Sequence, residues 1–259
     1  MLDGEYIVDR WMVQMLRDIC AERGISFDVY SDDWLIEMTS KDAVHWVFGY
    51  RFDLNDSVSA SIAQDKVATY QVLAKARIPV VPHVLVRTKV SHADRHVMNG
   101  WQQVVIKPLV GTSGHGVHLF NDIDAAVAHI EQSPIAAWAA APFIDIAREI
   151  RVVLLDSMPL LIYEKQPVMI RGLNMFNLGL GATPKDIEIN DDLLQLAVSA
   201  QKELGLRLST IDIVENRAGE SQVLEINDSI MMEYYARFSP ENKQRAEMVY
   251  ARIIDAMME

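Results

Sequence analysis

Three oxygen-bearing side chains near the end of the chain, Asp212, Glu225 and Asn227, have the types and spacing to hold a hard metal ion. They lie in Ser209–Asp228, STIDIVENRAGESQVLEIND, where two apolar runs of strand type, Thr210–Val214 and Gln222–Ile226, flank the turn-forming Asn216-Arg217-Ala218-Gly219. That pattern reads as an antiparallel hairpin. Glu225 and Asn227 are two apart on one strand and point the same way, because successive strand side chains alternate faces. A register that pairs the strands across the turn brings Asp212 to that face. Two carboxylates and an amide oxygen, with no Cys or His, suit Mg²⁺ or Mn²⁺ and not Zn²⁺; such sites usually hold the metal that carries nucleotide phosphates. The competing reading of the hairpin alone is a row of solvated polar residues on an exposed strand face.

Phosphate chemistry is also suggested by VVIKPLVGTSGHGVHLF, Val104–Phe120. A strand Val104–Lys107 enters a loop containing Gly111, Thr112, Ser113, Gly114 and Gly116, and a strand Val117–Phe120 leaves it. In a P-loop or a dinucleotide fold the glycine loop opens a helix, and no helix signal follows here. A glycine loop between two strands instead makes a lid whose backbone N–H groups close over phosphates. Lys107, at the end of the entering strand, is placed to reach phosphate oxygens. Lys66 falls in the first turn of a helix, where the dipole disfavours a cation, so it is either solvated or compensated by an anion. Downstream, Ala141-Pro142-Phe143-Ile144 could offer backbone groups to an adenine edge, with Glu149 beyond it for a ribose hydroxyl. Met169–Arg171, Asn174 and Asn177–Gly181 gather a cation, amides and glycines into one loop.

No Cys/His or Ser/His pairing supplies a nucleophile. His92 and His96 in HADRH do not match the HExxH zinc pattern and read as an exposed helix face. His115 reads as a solvated loop residue, and Met231 and Met232 as packing for the last helix.

The elements that position these groups follow from periodicity and caps. Val8–Arg23 has helical spacing and ends at Gly24; Ser26–Tyr30, Trp34–Met38 and Ala43–Phe48 read as strands of a small α/β subdomain ending near Asn55. Ser61 and Gln64 have capping-box spacing for a helix over Ile62–Ala76, followed by an extended segment from Ile78 to Val86. Asp122–Gln132 is a helix. Ala139–Ile144, Ile150–Leu155 and Leu160–Glu164 are strands. Asn190–Leu204 is a helix closed by Gly205, and Ser239-Pro240 starts a final helix to Met258.

The 259 residues, half of them hydrophobic, suffice for a substantial core in one large domain or a few subdomains. A net charge of −12 argues against nucleic-acid or anionic-membrane partners. The single Cys20 suits a reducing cytoplasm, no signal peptide is evident, and Ile135–Ile144 is too short to span a membrane.

With these pieces in order, the chain resembles the ATP-grasp superfamily, and within it the RimK-like and D-alanine–D-alanine-ligase-like carboxylate–amine ligases. The resemblance runs from Asp65 to about Met232 through DK, VVIKPLVGTSGHGV, REIRVVLLD, IRGLNMFNLGLG and IDIV…VLEIN, all in the family's order. It implies an α/β (α+β) fold in which two α+β subdomains, residues 61–144 with the lid and 145–259 with the metal site, clamp ATP behind a short N-terminal subdomain, 1–60. It implies that Lys66 and Lys107 contact phosphates under the Gly111–Gly116 loop, that Pro142, Phe143 and Ile144 form the adenine hinge, and that Glu149 binds ribose. Arg171 would touch a phosphate or acyl phosphate, Arg151 and Asn177 would line the site, and Asp212, Glu225 and Asn227 would bind Mg²⁺.

The implied activity is ATP- and Mg-dependent joining of a small carboxylate, an amino acid or peptide, to an amine through an acyl phosphate; a homodimer is common in the superfamily. A small-molecule kinase on the same fold and a non-catalytic ATP-binding regulator are the alternatives. The sequence departs from the family at Ala141, where Gln or Glu is common, and at Asp228–Glu233, where relatives often read SPG. The subdomain before Asp65 is also short.

Overall fold

The computed structural model describes residues 9–41, 43–109, 116–170 and 173–259. The expected lid positions Gly111, Thr112, Ser113 and Gly114, with His115 and Arg171, lie outside the described residues.

Helix α1, Trp11–Arg23, buries Met12, Met15, Leu16 and Ile19 on one stripe and stops at Gly24, whose φ of 67° is the left-handed value that glycine tolerates. An antiparallel meander follows, β1 (Ser26–Tyr30), β2 (Leu35–Ser40), β3 (Ala43–Phe48) and β4 (Arg51–Phe52), making the subdomain α+β. The second strand begins later than Trp34 because Ser31, Asp32 and Asp33 take φ of 50°, 53° and 61°, carrying Trp34 into the turn. Ile36, Met38 and Val47 on the inner face join one core with α1.

The helix expected over Ile62–Ala76 is two helices, α2 (Ser57–Gln64) and α3 (Lys66–Lys75). Asp65 divides them: its carboxylate accepts from the N–H groups of Val67 and Ala68, both at 2.9 Å, which starts a new helix. Ser61 makes no capping box. Its hydroxyl donates to Ser57 O within α2, which Asp56 caps.

A small sheet combines β5 (Val84–Arg87), β6 (Val104–Pro108), β7 (His118–Phe120) and β8 (Ala137–Pro142) in the antiparallel order β5-β8-β6-β7. Helices α4 (His92–Met98) and α5 (Ile123–Gln132) cover one face around Val86, Val104, Ile106 and Trp138. His92 and His96 are exposed on α4, as expected.

The large sheet is built from β9 (Ile146–Leu155), β10 (Met158–Gln166), a strand at Thr183–Asp186, and the hairpin strands Leu208–Asn216 and Ser221–Asn227. A separate hairpin, β11 (Val168–Ile170) with β12 (Leu173–Met175), precedes the edge strand, which is therefore β13, and the last two are β14 and β15. The antiparallel order is β13-β10-β9-β14-β15. On one face, Ile150, Val152, Ile211 and Ile213 meet α6 (Asp191–Glu203) together with α2 and α3. On the other, Val153, Leu155, Tyr163 and Leu208 join the core of α1, α7 (Glu233–Ala236) and α8 (Pro240–Met258), where Met232 is also buried. Among the described residues no helix is long and apolar enough to cross a membrane.

Candidate active site

The hairpin register is the one the alternation argument requires. Asp212 on β14 lies opposite Glu225 on β15, and Thr210 opposite Asn227. On the other side of β14, Asp212 faces Arg151 of β9, and Glu149 of β9 faces Lys165 of β10. Directly opposed residues of an antiparallel pair share a face. Lys165, Glu149, Arg151, Asp212, Glu225 and Asn227 therefore form one polar band across the sheet.

The band is tightly paired. Arg151 forks onto Asp212, Nε to Oδ1 at 2.7 Å and Nη2 to Oδ2 at 2.6 Å. Lys165 Nζ donates to Glu149 Oε1 at 2.5 Å and to Asp212 Oδ2 at 2.9 Å. Two cations and two carboxylates thus neutralise one another, with Asp212 only 1% exposed. Burial pushes the Asp212 carboxyl up, but Arg151 and Lys165 outweigh it and hold the group well below the usual carboxylate range. Burial raises Glu149 despite Lys165. Asn227 Nδ2 donates to Glu225 Oε1 at 3.3 Å, and its amide oxygen could face a cation. The oxygen set fits Mg²⁺, although a metal must share Asp212 with two cations already on it.

Lys107 reaches toward the band from the small sheet. It pairs with Ala139, which pairs with Leu85, so it stands on the face opposite the α4 and α5 core. Burial pushes its ammonium down to about 8; Lys66 adds to that, and Glu225 and Glu149 resist it. Those influences place Lys107 within electrostatic reach of Lys66, Glu225 and Glu149. Lys66 opens α3 and lines a small cavity with His83 and Glu225.

Between the two sheets lies an apolar cluster of Val81, Ala141 and Val214, flanked by Ile144, Ile146 and Leu224. Of the expected hinge, Pro142 ends β8 and has no N–H, and Phe143 N–H donates to Gln103 O at 3.0 Å. Gly116 has φ 73°, and a Cβ there would sit 3.0 Å from Pro108 Cγ, so this end of the loop requires glycine. Asn177 caps a 3₁₀ turn over Leu178–Leu180, its Oδ1 accepting from Gly179 N–H at 2.7 Å; the hydrogen bonds described for it are local to that turn.

Sequence reasoning missed Lys165 and His83. Lys165 ends an apolar strand and becomes visible only once β10 is placed against β9. His83 interrupts the apolar run Ile78–Val86, which was a signal of a polar residue held inside.

Residues 63–248 match the RimK-like ATP-grasp domain. The chain belongs to the RimK-like ATP-grasp family. A probable alpha-L-glutamate ligase of Legionella pneumophila is 29% identical over 182 residues, covering 69% of this chain and 59% of that relative. The chain thus spans about three fifths of the length of the curated relatives it matches first. This RimK-like chain also shares its fold with solved ATP-grasp ligases. D-alanine–D-alanine ligase from Bacillus anthracis superposes with a TM-score of 0.61 at 16% identity, covering 79% of this chain and 69% of that one. The ligase PsnB, solved with a phosphomimetic variant of its minimal precursor, Mg and ADP, gives 0.56 at 18%, covering 77% and 62%.

Proposed function

We propose that this chain is an ATP- and Mg²⁺-dependent carboxylate–amine ligase. The observation that carries it is the polar band itself: three oxygen donors beside Arg151 and Lys165 on one sheet, with Lys107 reaching in from the other. That arrangement handles phosphate charge, and it contains no nucleophile. In this reading residues 61–144 and 145–259 are the two jaws, with the base in the apolar cluster between them. Since Pro142 and Phe143 have no N–H to spare, Ile144 supplies the hinge donor. Glu149 turns from Lys165 to the ribose.

Asp212, Glu225 and Asn227 would hold Mg²⁺, which would supply positive charge against the nucleotide phosphates. Lys66, Lys107, Arg151 and Lys165 spread the remaining charge, with Arg171 and the 111–116 lid closing the site against water. A substrate carboxylate oxygen attacks the γ-phosphorus and ADP leaves. The amine then attacks the acyl carbon, the C–N bond forms, and inorganic phosphate departs with the C–O pair. The glutamate ligase relatives make L-glutamate the first amino acid to test; Asn177 lines the acceptor end. A homodimer in the cytoplasm completes the reading, and the single buried Cys20 suits a reducing compartment.

The test incubates protein with Mg·ATP, hydroxylamine and L-glutamate, then pooled amino acids and dipeptides, following ADP and hydroxamate together. Both products should appear and both should fall by about a thousandfold in Asp212→Asn, the scale of losing a principal charge-stabilising group. Substrate-dependent ADP without hydroxamate would make it a kinase. ATP binding without turnover on any carboxylate would make it a regulator.

A further inference from the structure

His83 is 2% exposed and sits where the two sheets meet. Its segment runs parallel to β15: Val81 N–H donates to Val223 O and Val223 N–H to Pro79 O, each at 2.9 Å, with a bridge between Val80 and Val223. Advancing together from that bridge, the chains bring His83 level with Ile226, next in sequence to Glu225, and His83 and Glu225 line one small cavity with Lys66, Thr69 and Tyr70. His83 also immediately precedes β5. Alternation puts it on the face of Leu85, which is the face of Lys107.

The tautomer follows from its partner. Nδ1 lies 2.9 Å from Val81 O, a carbonyl that only accepts, so Nδ1 carries the hydrogen and Nε2 presents a lone pair. Nε2 is enclosed and has no hydrogen-bond partner among the described residues. Burial first, and then Lys107, hold the ring down at about 3, so it stays neutral and Nε2 stays an acceptor. A buried lone pair without a donor is costly, and neither Glu225 nor a phosphate can supply one, since both only accept. An ammonium can.

We propose that His83 is a positioning residue for Lys107, its Nε2 accepting one ammonium hydrogen when nucleotide is bound so that the other two point at the phosphates. The chemical logic is that a neutral acceptor fixes the lysine without cancelling its charge. Glu225, another acceptor in reach, would cancel it and is assigned to the metal in the nucleotide reading. This inference rests on the nucleotide reading above.

The experiment is a calorimetric cycle with Mg·ADP as the probe on four proteins: wild type, His83→Leu, Lys107→Met and the double variant, each with its melting temperature. His83→Leu should weaken ADP about tenfold without lowering the melting temperature, as for one lost hydrogen bond to a charged group. It should weaken ADP no further once Lys107 is Met, and His83→Gln, which keeps an acceptor, should regain most of the affinity. Additive losses, or an unchanged affinity in His83→Leu, would overturn the coupling while leaving the nucleotide site standing. If His83→Leu fails to fold, His83→Gln and His83→Asn decide by the same cycle. A wild type that binds no Mg·ADP or Mg·ATP would instead remove the nucleotide reading and this proposal with it.

Discussion

At the scale of single residues, the site is decided by buried charges that balance one another. Lys165 is the shared partner of Glu149 and Asp212, and removing it leaves two buried carboxylates with one cation. Lys165→Met should therefore destabilise the protein by about 3–5 kcal/mol, the usual consequence of orphaning a buried charge. Adding Glu149→Gln should restore part of that stability, read as a non-additive cycle in urea unfolding. Lys107 gives a pH signature. With its ordinary pKa of 10.5 pushed to about 8 in the folded protein, it is charged below pH 8 and loses its charge above. Between 8 and 10.5 the unfolded chain holds the extra proton, so this group adds stability as pH rises through that window. Its proposed contribution to phosphate binding moves the opposite way. ATP affinity should decline above pH 8 in the wild type, whereas Lys107→Arg, which stays charged, should flatten that decline in a titration series.

At the scale of elements, the caps show how distant segments fix one another. Glu233, within the Asp228–Glu233 run that departs from relatives, accepts from Trp11 N–H and Met12 N–H at 3.0 Å each and so caps α1 from the far end of the chain. Glu233→Ala should cost about 1–2 kcal/mol, seen as a lower urea midpoint, because it exposes two orphan donors and removes a charge from the dipole's positive end. This role was not legible in sequence, since capping across such a separation depends on tertiary contact. The β14–β15 hairpin was legible, because a short turn fixes the register locally and alternation then sets Asp212, Glu225 and Asn227 on one face. The break at Asp65 was misread: Ile62–Ala76 is continuous in helical residues, and Asp56 and Asp65 were not weighed as competing caps. Lys165 and Arg151 met Asp212 only through the β10-β9-β14 pairings: β9 and β10 form a hairpin closed by Asp156-Ser157, but the long connection to β14 carries no local register signal.

At the scale of the whole molecule, the large sheet is shared by two cores, one on each face, that bind the N-terminal meander, α1 and α8 to one side and α2, α3 and α6 to the other. The small sheet has its own core around Val86, Ile106 and Trp138 and meets the large sheet through the few apolar residues near Val81, Ala141 and Val214. A body with its own core and a narrow apolar joint can open without breaking the rest. Hydrogen exchange should accordingly show the amides of β6 and β8 opening at lower free energy than those of β9 and β14. Mg·ATP in the proposed site between Lys107 and the polar band should raise the protection of β6 and β8 toward that of the large sheet, since a ligand bound across the joint stabilises only the closed form. Equal protection of both sheets before nucleotide is added would show that the joint is already rigid, and that ATP enters a cleft formed in advance.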